Sequence, residues 1–349
     1  MKNEQQAKIQ LLLKESLKSL NKRTQVVVDK RFGLKNGKTE TLESIGKAYG
    51  ITRERVRQIE EAGLRELRKN FLHSNLVSAL NPISKTLAEH GGILRQDNLF
   101  GLFNNFQKYN SDNAYLVLAM TISPDYSKFE ETDSTYPFWA LKGSDQSQTA
   151  KNTISQLVSY LEKNKSLIKT EELYNLYKTK VCSSSPLPEK AFASYVSLAK
   201  NFGTNSFNDF GLKKWPEISP RGVKDEAYLV LMKQSKPTHF SNIASLISSA
   251  GFKKKKVNVQ TVHNELIKDS RFVLVGRGLY ALKDWGYQGG TVKDVLVELL
   301  KKEGSLSKDQ IVAKTLSGKM VKTNTVLINL QNKKVFEKDE SGNYKLKEA

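Results

Sequence analysis

Cysteine occurs once, as Cys182, in a chain of 349 residues. A single thiol cannot close an internal disulfide, so no disulfide framework holds this protein, and a reducing compartment suits it. No apolar run reaches the roughly 18 residues that a membrane-spanning helix needs. The opening MKNEQQAKIQ lacks the apolar core of a secretion signal, because the three leucines at 11–13 are too few and belong to a helical pattern. Histidine is also scarce. His73, His90, His239 and His263 include no pair at metal-ligand spacing. There is no phosphate-binding glycine loop, no G-x-S-x-G turn and no Glu-flanked histidine pair. The expectation is a cytoplasmic, non-enzymatic protein without metal, cofactor, small-molecule substrate or membrane association.

What the chain has in excess is positive charge, +20 in all. A solvated lysine-rich surface is the plain reading; a polyanionic partner, nucleic acid first, is the functional one. The charge is uneven. Residues 1–72 carry a net +8, whereas residues 73–142 carry −2 and are a poor place to hold DNA. Hydrophobic content of 38% supplies enough apolar side chains for packed cores over two or more domains.

Residues 39–69, TETLESIGKAYGITRERVRQIEEAGLRELRK, organise the rest. The spacing predicts a first helix from Thr41 with Leu42, Ile45 and Ala48 inward, broken at Gly50. Thr52 is a good N-cap for a second helix. In that helix Val56, Ile59, Gly63 and Leu67 recur every three or four residues and share one face. Arg53, Glu54, Arg57 and Gln58 fall on the opposite face near the helix start, where a recognition helix presents side chains to base edges in the major groove. A merely solvated helix face is the alternative. Upstream, Ile9, Leu12, Leu13, Leu17 and Leu20 form a helical stripe, and a short helix is expected over 24–31. Gly63, mid-helix, predicts a looser far half of the second helix, since glycine costs about 1 kcal/mol against alanine.

The run RFGL at 31–34, TLESIGKAYG at 41–50, TRERVRQIE at 52–60 and LRELR at 64–68 resembles region 4 of the sigma-70 family, the promoter −35 reader of bacterial sigma factors. The resemblance covers roughly residues 10–70. It implies base contacts from Arg53, Glu54, Arg57 and Gln58, phosphate or structural contacts from Arg31, Thr41 and Arg55, and docking on the β flap of RNA polymerase core. The other 280 or so residues do not resemble a sigma factor, and the aromatic-rich region that melts the −10 element has no counterpart.

An aromatic-x-Leu-Lys signature recurs instead, beginning at Trp139, Phe210, Tyr280 and Tyr344. Domain-sized periodicity of this kind suggests tandem modules. The reading is mainly α with small β-wings: a helix-turn-helix domain at 1–72, then four winged-helix-like modules at 73–142, 143–222, 223–286 and 287–349. The first is acidic and divergent, its third helix near 113–122 lacking any basic residue and its wing holding Asp125, Glu130, Glu131 and Asp133. The third resembles the HARE-HTH winged-helix family through VQTVHNELIKD at 259–269 and RFVLVGRGLYAL at 271–282. Lys253, Lys254, Lys255 and Lys256 are candidate phosphate contacts before its third helix, or a solvated loop. In the fourth, Lys319, Lys322, Lys333 and Lys334 bracket a candidate recognition helix showing Asn324, Thr325 and Asn329. The proline-bearing link WPEISPRG at 215–222 is the best boundary.

The function expected is a sequence-specific, duplex DNA-binding bacterial transcription factor, nucleoid-associated, with the basic modules on flanking DNA and the acidic one on RNA polymerase. The alternative is a polymerase-associated interaction protein that docks the β flap and binds DNA secondarily. An orphan module of a restriction or repair system, and an architectural protein indifferent to sequence, complete the field.

Overall fold

The computed structural model describes residues 2–71, 75–104, 109–143, 146–252 and 256–347. The protein is mainly helical with small antiparallel sheets, and the chain divides into two units. The first comprises residues 1–203 and 210–212, the second 204–209 and 213–349. Among the described residues no helix is long and apolar enough to cross a membrane.

The first unit begins with α1 (Lys2–Leu17), α2 (Lys22–Phe32), α3 (Leu42–Tyr49) and α4 (Arg53–Phe71). It continues with α5 (Leu76–Glu89), β1 (Ile93–Arg95), α6 (Gln96–Asn104), α7 (Ser111–Ile122), β2 (Tyr126–Phe129) and β3 (Phe138–Leu141). There follow α8 (Gln146–Asn164), β4 (Ile168–Lys169), α9 (Leu173–Leu176), α10 (Glu189–Leu198), β5 (Phe202–Thr204) and β6 (Asp209–Leu212). The strands form two three-stranded sheets, β1-β3-β2 and β4-β6-β5.

The apolar stripe of α1 buries Ile9, Leu13 and Leu17 as the sequence leads one to expect. What covers that stripe is the acidic segment. One continuous core runs from Ile9 through Leu67 and Phe71 to Leu99, Met120 and Trp139. The centre of this core is α7, nine of whose twelve residues are buried. A helix apolar all round belongs in an interior, and α7 packs against α1, α2, α4 and α5. Its lack of basic residues therefore follows from burial.

Polar contacts fix the same joint. The Tyr109 hydroxyl donates to the Phe32 carbonyl at 2.7 Å, closing the end of α2. Gln10 Nε2 donates to Asp112 Oδ1 at 2.7 Å. Gly37, at φ +69°, lies so close to the Asn110–Ser111 backbone that a Cβ would sit 2.8 Å from the Ser111 nitrogen. On the acidic wing, Glu130 pairs with Lys128 at 2.7 Å and Glu131 with Lys200 at 2.6 Å, so two of its carboxylates are neutralised in place.

Tyr126 is buried in this core with its hydroxyl 2.6 Å from Ser84 Oγ and donating to the Leu80 carbonyl at 3.2 Å. Burial pushes its phenol up to about 12, from an ordinary value near 10. A group whose folded pKa is raised contributes stability below its unfolded pKa and loses it as pH climbs through the folded value. The first unit should therefore lose stability between about pH 10 and 12. Tyr126→Phe should lose less across that window, as thermal melts at neutral and alkaline pH would reveal.

The second unit holds α11 (Val223–Gln234), β7 (Thr238–His239), α12 (Phe240–Ser249), α13 (Val259–Lys268), β8 (Phe272–Gly276) and β9 (Leu279–Leu282). It ends with α14 (Val292–Glu303), α15 (Lys308–Gly318), α16 (Thr323–Leu330), β10 (Phe336–Lys338) and β11 (Tyr344–Leu346). Local chemistry explains the helix starts: Asn258 caps α13, and Thr291 and Ser307 open α14 and α15 with reciprocal capping boxes. Strands β7, β9 and β8 form one sheet in that order, β10 and β11 another.

The outer edge of β8 is closed by residues that follow α15. Met320 N–H donates to the Val275 carbonyl at 2.9 Å. The Lys319 ammonium donates to the carbonyls of Leu274, at 2.9 Å, and Gly290. Only glycine fits at 276, where a Cβ would stand 2.7 Å from the Met320 carbonyl oxygen. Lys319 is only 4% exposed and burial lowers its pKa. This corrects the expectation of Lys319 beside a recognition helix: two backbone carbonyls hold its charge inside the joint.

Candidate nucleic-acid interface

The helix-turn-helix is set by its caps. Ser44 N–H donates to Thr41 Oγ1 at 3.1 Å and starts α3, and Gly50 at φ +64° ends it. Arg55 N–H donates to Thr52 Oγ1 at 3.1 Å and starts α4. A small core of Val27, Ile45, Val56 and Ile59 then locks α2, α3 and α4 together. Ala48, expected inward, is exposed; the inner place belongs to Gly46, where a Cβ would meet the Ile51 carbonyl oxygen at 2.7 Å.

With Val56 and Ile59 held inside, Arg53, Glu54, Arg55, Arg57 and Gln58 are all exposed on the first two turns of α4. They are not independent. Arg57 donates from Nε and Nη2 to Glu54 at 3.0 and 2.8 Å, and from Nη1 to Glu61 at 3.0 Å. Arg55 Nη1 donates to Gln58 Oε1 at 3.1 Å. The hydrogen bond from Arg57 holds the Glu54 carboxyl below its ordinary range and correspondingly strengthens the hold of Arg57 on its proton. Exposed pairs of this kind are weak because solvent screens them, so a base edge or phosphate can replace them. Glu61 is a member of the face that the sequence reading missed, although its four-residue offset from Arg57 was legible.

The other candidates divide. Arg31 is an internal tie: Nε meets Glu60 Oε2 at 3.1 Å and Nη1 donates to the Glu40 carbonyl at 2.5 Å, the structural role of the two expected for it. Thr41 acts as the cap of α3. Lys256 is exposed just ahead of Asn258, while Lys253, Lys254 and Lys255 lie outside the described residues. Among the described residues no three His, Cys, Asp or Glu side chains are grouped to hold a metal ion.

Residues 16–69 match the family model for sigma-70, region 4. This stretch is similar to a sigma-70 region 4. An RNA polymerase sigma factor, SigA of a Bacillus species, is 52% identical over 61 residues, or 16% of each chain. The chain thus matches about a sixth of that relative's length.

Within region 4, Gly63 has a role opposite to the one its helix propensity suggests. A Cβ there would lie 2.6 Å from Thr24 Cγ2 and 3.2 Å from Val28 Cγ2. The glycine lets α2 cross α4 closely, and the far half of α4 is then anchored by buried Leu67 and Phe71 in the joint core. The expected looseness is therefore replaced by a packed crossing. Gly63→Ala should destabilise the first unit, because overpacking at about 1–3 kcal/mol outweighs the ~1 kcal/mol gained in propensity. A chemical denaturation midpoint that rises in the variant would refute this account of Gly63.

Proposed function

We propose that the chain is a bacterial transcription factor that binds duplex DNA through region 4. The first two turns of α4 enter the major groove and read a −35-like element. Arg57 bonds a guanine edge, Gln58 an adenine and Glu54 a cytosine amine, as the geometry of these side chains allows. The observation that carries the reading is the exposed, mutually oriented set Arg53, Glu54, Arg57 and Gln58 on a helix whose opposite face is locked into a core. In this proposal residues 143–222, 223–286 and 287–349 are winged-helix-like modules whose basic surfaces grip flanking phosphates. Residues 73–142 serve differently: with α7 inside the core, this segment braces region 4 and leaves DNA to the others.

A second reading rests on Arg57 being already engaged by two carboxylates. There the chain docks on the β flap of RNA polymerase and DNA binding is secondary. Selection of bound duplexes from a random pool by the full chain separates the two. Enrichment of one element, with affinity falling steeply as salt rises, supports the first. No enrichment, together with co-purification with polymerase, overturns it in favour of the second.

A further inference from the structure

Between the end of α16 and the β10–β11 hairpin lies a cleft of about 420 Å3, within the ~300–1,000 Å3 typical of small-ligand sites. Its floor is apolar, with Phe336 buried and Tyr344 half-buried. Its rim carries Lys333, Lys338 and Lys347, all exposed, and the amide of Gln331. Glu337, the one carboxylate among the lining residues, is ion-paired with Lys345 at 3.1 Å. The mouth is therefore positive.

The strand register places a cation over a flat ring. Lys338 is paired with Tyr344 across β10 and β11, and its ammonium stands 5.1 Å from the ring centre. Ammonium groups for the backbone and an aromatic face for the base are the combination that holds single-stranded nucleic acid. An acidic peptide would satisfy the lysines but brings no flat apolar group with each charge, whereas a nucleotide does. A paired base cannot enter such a cleft, because its faces are covered by its neighbours in the duplex.

We propose that this cleft binds one unpaired nucleotide of a single-stranded nucleic acid, with its base against Tyr344, its edge near Gln331 and its phosphates on Lys333, Lys338 and Lys347. The site is remote in sequence from region 4 and does not depend on what region 4 reads.

The test uses the full chain and fluorescence anisotropy with labelled oligothymidylate, oligouridylate and a blunt duplex. Lys333→Glu with Lys347→Glu should weaken single-strand binding by about tenfold, through lost phosphate contacts, and duplex binding by less. The same charge reversal at exposed Lys301 and Lys302 on α14 should spare single-strand binding. Tyr344→Leu, which keeps an apolar side chain, should repeat the single-strand loss while circular dichroism shows the fold retained, and Tyr344→Phe should restore binding. Preference for the thymidylate or the uridylate probe tells DNA from RNA. The proposal is overturned if the α14 reversal costs as much as the cleft reversal, if folded Tyr344→Leu binds like the parent, or if oligoglutamate displaces the probes as well as unlabelled strand does.

Discussion

Replacing Arg57 and Gln58 together by alanine is expected to remove the preference for the selected element while leaving salt-dependent affinity for any duplex. Each good bidentate contact contributes about 1–3 kcal/mol of discrimination, so the pair should lose roughly 2–6 kcal/mol between the element and a scrambled duplex. Both side chains are exposed, and neither belongs to the small core behind them. The fold should accordingly survive, which a melting curve checks. The loss of Arg57 also leaves Glu54 and Glu61 without their common partner. Glu54 would then face the phosphates without Arg57, while Glu61 keeps Arg65 at 3.5 Å, and general affinity should fall as well, more at low salt than at high. Titrations of both duplexes at several salt concentrations separate the two effects. A variant that still prefers the element would place base reading on some other surface.

Leu13→Ala should unfold region 4 and the following segment together. Leu13 is fully buried on α1, the helix that packs against α4, α5, α6 and α7. Truncating a buried leucine costs about 2–5 kcal/mol, a large part of the ~5–15 kcal/mol that holds a domain. Because the core from Ile9 to Trp139 is continuous, the penalty should appear as one shifted transition. Hydrogen exchange gives the sharper measurement: amides of α4 and of α7 should lose protection in parallel. Loss confined to α1–α4 would mean that the two regions fold separately despite their shared core.

The helices were legible where short-range chemistry defines them. Thr41, Thr52 and the Val56–Ile59 spacing predict the helix-turn-helix. What local spacing cannot encode is which surface covers which. The lack of basic residues over 113–122 was legible, but the partner helix α1 lies about a hundred residues earlier, and nothing in either segment names the other. Arg31 shows the same limit at short range, since its role depends on Glu60 arriving beside it through the fold. Gly63 misled for a related reason. Propensity registers what a glycine costs its own helix and is silent on the neighbour that needs the space.

In the proposed function, the joint at Lys319 determines how the last two helix–sheet segments share a long ligand. Two binding elements on a flexible tether find their sites wherever the linker reaches, at a concentration set by its length. Here the edge of β8 and the segment after α15 are bonded to each other by Met320 and Lys319, so distance and rotation are both fixed. Along a helical polymer that repeats about every 10.5 base pairs, such a pair keeps a phase. Contact points displaced by half a turn point away from each other, and the second segment would then meet the wrong side of the duplex however close it lies.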